Sequence, residues 1–236
     1  DHNRAVVQSS KLGSWLPTYR IRRAGHRAQA VRPLVQCRNV DHPRQFSGLG
    51  MLTVLTVDLA KGLVPTDSLG VMTDARIVYA STGNLYLATE RWAVRPLPAT
   101  PTEPQQNVTT AIHRLDISDP TRTRYRGSGD VSGYLLNQWS LSEYNGILRV
   151  VSTDAPAWFD SVDTTTSSLT TLRFSDGALD KIGRVGNLGK GQRVYAIRYV
   201  GPTAYIVTFK QVDPLYTLDL ADPARPRVLG ELEIPG

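Results

Sequence analysis

Four stretches of this chain share one grammar, and a repeat at that spacing restricts the possible folds more than composition does. They are Leu52 to Gly70, Ala111 to Gly129, Leu169 to Gly186 and Leu215 to Gly230. In each, a short run rich in β-branched or aromatic residues ends at an anchor, Asp58, Asp116, Arg173 or Asp219. A tight polar turn follows, and a second short run closes near a glycine. The dipeptides Asp119-Pro120 and Asp222-Pro223 suit such turns, because Asp accepts from nearby backbone N–H groups while Pro presets φ. A second kind of hairpin lies between these stretches, at Ile77 to Thr89, Trp139 to Thr153 and Val194 to Phe209. Its reversals are Gly83-Asn84, Asn145-Gly146 and Gly201-Pro202, each flanked by alternating apolar and polar residues. Tyr86, Leu148 and Tyr205 sit 28, 32 and 32 residues after the anchors Asp58, Asp116 and Arg173.

The unit is therefore two hairpins long, about 46 to 58 residues, the length of one four-stranded propeller blade. Adjacent apolar residues in one strand, Val150-Val151 and Ile206-Val207, point to opposite faces, so both faces of each sheet need cover. A β-sandwich also has many short strands with regular turns, but the repeated unit favours sheets stacked face to face. The expected fold is all-β, a β-propeller of four-stranded antiparallel blades with about three and a half to four blades present. The blades are read at 51–106, 107–166 and 167–213, with a half blade at 214–236. Residues 1–50 form an N-terminal partial blade or extension. Closed propellers need about four blades or more, so the sequence predicts a segment of a larger ring, completed by further residues or by another chain. Two polar stretches, Arg95 to Gln106 with four prolines and Asp160 to Ser168, are expected to be mobile connections.

Composition narrows the partners. The chain of 236 residues is 41% hydrophobic, enough for a sizeable core. Its net charge of +6 comes mainly from scattered Arg. Only Arg20, Arg22, Arg23, His26, Arg27 and Arg32 are locally dense, without interleaved aromatics, so no nucleic-acid interface is expected. No apolar run approaches the ~20 residues of a membrane helix. Asp1 to Ser10 lack the pattern of a signal peptide. Cys37 is the single cysteine, which rules out a disulfide within these residues, and it is expected to be buried.

Several stretches resemble a secreted β-propeller family, found as a C-terminal domain in exported bacterial and archaeal proteins. They include LTVLTVDL (52 to 59), YASTGNLYLATE (79 to 90), TAIHRLDIS (110 to 118) and SGYLLNQWSLSEYNGILRVVST (132 to 153). GKGQRVYAIRYVGPTAYIVTFKQVDPLYTLDL (189 to 220) and DPARPRVLGELEIPG (222 to 236) complete the match, which runs from about Trp15 to the end. The resemblance implies an extracellular or cell-envelope location, a propeller larger than this chain and no established biochemical activity.

Candidate chemistry is sparse. His2, His26, His42 and His113 form no paired metal motif, and no Ser sits in a nucleophile elbow. Gly186 to Gln192 lacks the phosphate-loop pattern and reads as an inter-strand connection that tolerates positive φ. The recurring carboxylates Asp213, Asp219 and Asp222 are the candidate ligands of a Ca²⁺ ion, which needs six to eight oxygens. Trp158, Phe159 and Trp92 are the candidate ligand contacts, since aromatic plates bind apolar surfaces of sugars and peptides. Trp139 falls in a predicted strand and is assigned to packing between blades. The functional reading is a non-catalytic secreted or envelope scaffold that binds a protein or cell-surface ligand through loops at one end of the ring. The rivals are an envelope hydrolase or lyase acting in the propeller channel, and an assembly module that self-associates through open sheet edges. Converging titratable groups would mark the first rival, a stable oligomer the second and an apolar loop patch the binder.

Overall fold

The computed structural model describes residues 2–22, 24–27, 29–92, 108–154, 165–209 and 213–234. The N-terminal part is irregular. A helix, α1 (His2–Ser9), buries no residue, and β1 (Thr18–Tyr19) pairs only with β2 (Arg32–Pro33). Next, β3 (Val40–Asp41) runs parallel to β5 (Pro65–Met72), which pairs antiparallel with β4 (Met51–Val57), giving a three-stranded sheet.

Three four-stranded antiparallel meanders follow. The first is β6 (Ile77–Ala80), β7 (Asn84–Trp92), β8 (Val108–Asp116) and β9 (Arg124–Ser132). The second is β10 (Leu141–Tyr144), β11 (Ile147–Thr153), β12 (Ser167–Ser175) and β13 (Ala178–Leu188). The third is β14 (Arg193–Val200), β15 (Thr203–Phe209), β16 (Asp213–Asp219) and β17 (Arg227–Ile234). A single parallel bridge, Ser128 with Ala178, links β9 to β13 and joins the first two meanders into one eight-stranded sheet. The bridge requires a close approach: a Cβ on Gly127 or Gly129 would meet the backbone carbonyl of Gly177 or Leu179.

The all-β propeller-like architecture is as expected, but the sheets are phased one hairpin away from the repeat read in the sequence. The repeat in the sequence opens on the hairpin with the anchor residue, whereas each meander opens on the other hairpin and closes on the one with the anchor, Asp116, Arg173 or Asp219. Long-range pairing of β7 with β8, from Asn84–Asp116 to Trp92–Val108, sets this phase. The described residues thus hold three complete meanders and one earlier hairpin, β4–β5.

Side-chain alternation explains the stacking. In β11, Leu148 and Val150 enter a core shared with Tyr86, Ala88 and Ile112 of the first meander. Val151, on the opposite face, packs with Ile197, Ala204 and Ile206 of the third. Leu87 and Leu115, facing away from Tyr86 and Ile112, pack with Leu69 and Val71 of β5. Each inner sheet is buried on both faces, which two-layer sandwich packing does not require. Burying one such Leu, Ile or Val contributes about 1.5–3 kcal/mol. The far face of the third meander is different, leaving Tyr195, Phe209 and Leu232 exposed.

Turn chemistry follows the sequence. Asp58, Asp116 and Asp219 each accept from the backbone N–H two residues on, at Ala60, Ser118 and Ala221. Asp119 and Asp222 repeat the bond with Thr121 and Ala224, giving two such turns in succession. Asn145 and Gly146 have φ of 50° and 73°, as a two-residue hairpin of the primed type requires. Asn187, Gly189 and Gly191 also have positive φ, in and just after the end of β13. Two expectations need correction. Cys37 is exposed: it sits in a short 3-10 turn, and its neighbour Val35 fills the buried position. Ser167 and Ser168 belong to β12 and are buried, not part of a mobile connection. Arg95 to Gln106 and residues 160–164 lie outside the described residues.

Candidate functional site

A meander sends alternate connections to opposite ends. One end carries tight reversals: residues 81–83, 145–146, 176–177 and 201–202, with the double Asp turns after β8 and β16. The strand ends that flank residues 73–76, 93–107, 133–140, 154–166, 189–192 and 210–212 lie at the other end. The two longest connections, 93–107 and 154–166, therefore both start and finish at this second, loop end. Neighbouring sheets share the polarity, because Gly191 donates to the Thr165 carbonyl at the loop end (2.7 Å).

At the loop end an open groove of about 320 Å3 is lined by Arg76, Val78, Leu136, Asn137 and Trp139, among others. Trp139 is 55% exposed, Leu136 48% and Val78 42%, and the Arg198 guanidinium lies 5.3 Å from the Trp139 ring centroid. Local hydrogen bonding fixes the tryptophan. The Asn137 side chain accepts from the Trp139 N–H (2.9 Å), and the Ser140 hydroxyl accepts from the Leu136 N–H (3.1 Å), capping a 3-10 turn over Gln138–Ser140. Trp139, expected within a strand and packed between blades, instead lies in this turn with half of its surface exposed. The Asn137–Ser140 pair was the available signal. A second cavity, about 340 Å3, adjoins this groove through Arg76 and Ile77 and is lined by Asp74, Glu90 and Thr110. Asp74 is already engaged, accepting from the backbone N–H groups of Leu49 and Gly50.

A third cavity, about 400 Å3, lies on the opposite face of the first meander, with His42, Arg44, Arg91, Tyr125 and Asp130 in its wall. Arg91 donates to the Asp130 carboxylate and the Gln45 side-chain oxygen. Close by, His113 is 1% exposed and its Nδ1 lies 3.2 Å from the Tyr125 hydroxyl. Burial, reinforced by Arg91 and opposed by Asp130, lowers the imidazole from 6.5 to about 4. His113 is therefore neutral at pH 7 and, as an interior group, is poorly placed to exchange protons with a ligand. The arginines make this cavity a source of hydrogen-bond donors.

The aromatic candidates fall on residues whose side chains the structure does not describe. Trp92 ends β7 opposite Val108, and its side chain lies outside the described residues. Trp158 and Phe159 fall in the connection between β11 and β12 and also lie outside them. The carboxylate candidates do not gather. Asp213 and Asp219 open and close β16, so about 20 Å of strand separates them at ~3.3 Å per residue. The Asp213 side chain is outside the described residues. Asp219 accepts from the Arg227 guanidinium at 2.9 Å as well as from Ala221, and Asp222 caps the turn at Ala224. Among the described residues no three His, Cys, Asp or Glu are placed to hold one metal ion, and no helix is long and apolar enough to cross a membrane.

Comparison with known proteins agrees with this architecture. A family model described as a β-propeller domain matches residues 1–236. An uncharacterised protein of Methanocaldococcus jannaschii is 48% identical over 109 residues, 46% of this chain and 17% of that protein. An uncharacterised protein of Archaeoglobus fulgidus is 43% identical over 110 residues, 47% of this chain and 16% of that protein. The matched part thus spans about a sixth of each archaeal relative. With stacked four-stranded meanders and a family match along its whole length, the chain belongs to the β-propeller domain family.

Proposed function

We propose that this chain is a binding segment of an extracellular or cell-envelope propeller, taking a protein or cell-surface ligand at its loop end. The observation that carries the reading is the groove where Val78, Leu136 and Trp139 stay exposed beside Arg76 and Arg198. An exposed aromatic with apolar neighbours and arginine at its rim has the composition of a recognition hot spot. The strands that flank connections 93–107 and 154–166 end at the same end of the sheets. The hydrolase or lyase reading is less well supported, because in the Arg-lined cavity Asp130 is held by Arg91 and His113 is interior. The test is co-sedimentation of the full chain with the envelope fraction of the cells that make it, comparing wild type with Trp139→Ala. Truncating a hot-spot tryptophan costs about 2 kcal/mol or more, roughly 30-fold in affinity. Wild type is expected to sediment and the variant to stay in the supernatant; equal sedimentation of both overturns the assignment to the groove.

A further inference from the structure

Arg149 is a buried cation without a counter-ion among the described residues. It sits in β11, is 4% exposed, and forms no ion pair among the described residues. Arginine keeps its proton in proteins, so burial cannot be relieved by neutralisation. Removing one charge from water unpaired costs several kcal/mol. Two of its five N–H groups are used, Nη1 donating to the Gly201 carbonyl (2.5 Å) and Nη2 to the Ser142 hydroxyl (2.5 Å). The rings of Tyr144 and Tyr199 lie 5.1 and 4.7 Å from the guanidinium carbon, and their faces offset part of the charge. The Nε–H is buried with no acceptor among the described residues.

A cavity of about 70 Å3 adjoins this guanidinium at the turn end, between the second and third meanders. Its wall includes Tyr144, Asn145, Arg149, Pro202, Ala221 and Pro223, with no carboxylate among the lining residues. The space suits a halide or a small carboxylate and is too small for a sugar. We propose that this cavity is a binding site for a small monovalent anion, chloride-sized, held by Arg149 and locking the second meander against the third. The bound anion supplies the missing negative charge and an acceptor for the free N–H groups. This site is separate from the groove at the loop end.

The test is the 35Cl NMR linewidth of chloride titrated with the full chain. Wild type broadens the line. Arg149→Met abolishes the excess width, and so does Ala221→Phe, which fills the cavity while keeping the arginine. Ala221→Phe keeps the test decisive if Arg149→Met fails to fold. Added sodium acetate narrows the wild-type line if carboxylates share the site and leaves it unchanged if the site is selective for halide; both outcomes support an anion site. Absence of broadening in wild type, or broadening that survives Ala221→Phe, overturns the proposal.

Discussion

Lowering the pH from 7.5 to 5 selectively destabilises the native fold through His113. Its imidazole has a pKa of about 4 when folded and 6.5 when exposed, because burial penalises the charged form. Above pH 6.5 the group is neutral in both states and contributes no pH dependence. Between 6.5 and 4 the unfolded chain takes up a proton that the native state refuses, so stability falls as the pH falls. Below 4 both forms are charged and the loss is complete, about 3 kcal/mol from the separation of the two pKa values. At pH 5 the linkage relation gives about 2 kcal/mol, or roughly 4–8 °C in Tm for a chain of this size. Carboxylates titrate in the same window, so the assay compares wild type with His113→Gln. Glutamine keeps a hydrogen-bonding group near the Tyr125 hydroxyl but does not titrate. Scanning fluorimetry at pH 7.5 and pH 5 is expected to show wild type losing about 4–8 °C more than the variant over that interval. Parallel losses would falsify the claim that His113 is held neutral in the interior.

Other perturbations report on packing between sheets. Glu143 of β10 accepts from the Ser81 hydroxyl (2.6 Å), the Asn84 amide (2.9 Å) and the Tyr86 hydroxyl (3.1 Å) of the first meander. Glu143→Ala removes the acceptor that these donors share and is expected to cost about 2–4 kcal/mol in urea unfolding, with a loss under about 1 contradicting the network. Gly129→Ala drives a Cβ into the Leu179 carbonyl, a backbone atom that cannot step aside, whereas Gly146→Ala meets open space. The expected losses are about 3 kcal/mol or more and about 1 kcal/mol, and equal losses in guanidinium unfolding refute the contact between β9 and β13. The exposed apolar face of the third meander, with Tyr195, Phe209 and Leu232, is expected to drive self-association of the isolated chain. Light scattering coupled to size exclusion then gives a mass above the 26.0 kDa monomer that Phe209→Glu with Leu232→Glu returns to monomer. A monomeric wild type removes self-association by this face.

What was legible in the sequence was local. The Asp anchors at 58, 116 and 219 announced their turns because an Asp side chain bonds to its own neighbourhood. The pair Val150-Val151 announced two covered faces because strand side chains alternate. The phase of the sheets was not legible. It depends on β7 pairing with β8 across residues 93–107, and both phases have the same periodicity. Cys37 was misplaced because nothing in a short 3-10 turn specifies which neighbour turns inward. Trp139 read as strand because apolar alternation continues through Leu141, while the capping by Asn137 and Ser140 decides the backbone locally. His113 and Arg149 were hidden for a further reason: each sits in an ordinary strand pattern, and only the packing of another sheet makes it interior. Asp213 and Asp219 looked clustered in sequence, yet a strand holds them at opposite ends.

The central claim, that partners engage the loop end and not the turn end, is tested most directly by blocking each end in turn. Single cysteines are introduced at exposed sites in a Cys37→Ser background, Gln138→Cys at the loop end or Arg122→Cys in the turn after β8. Each is coupled to a bulky polyethylene glycol maleimide, and co-sedimentation with the envelope fraction of the cells that make the protein is measured. Loss of sedimentation with the label at 138 and retention with the label at 122 is the predicted result; loss with the label at 122 and retention with the label at 138 contradicts the account.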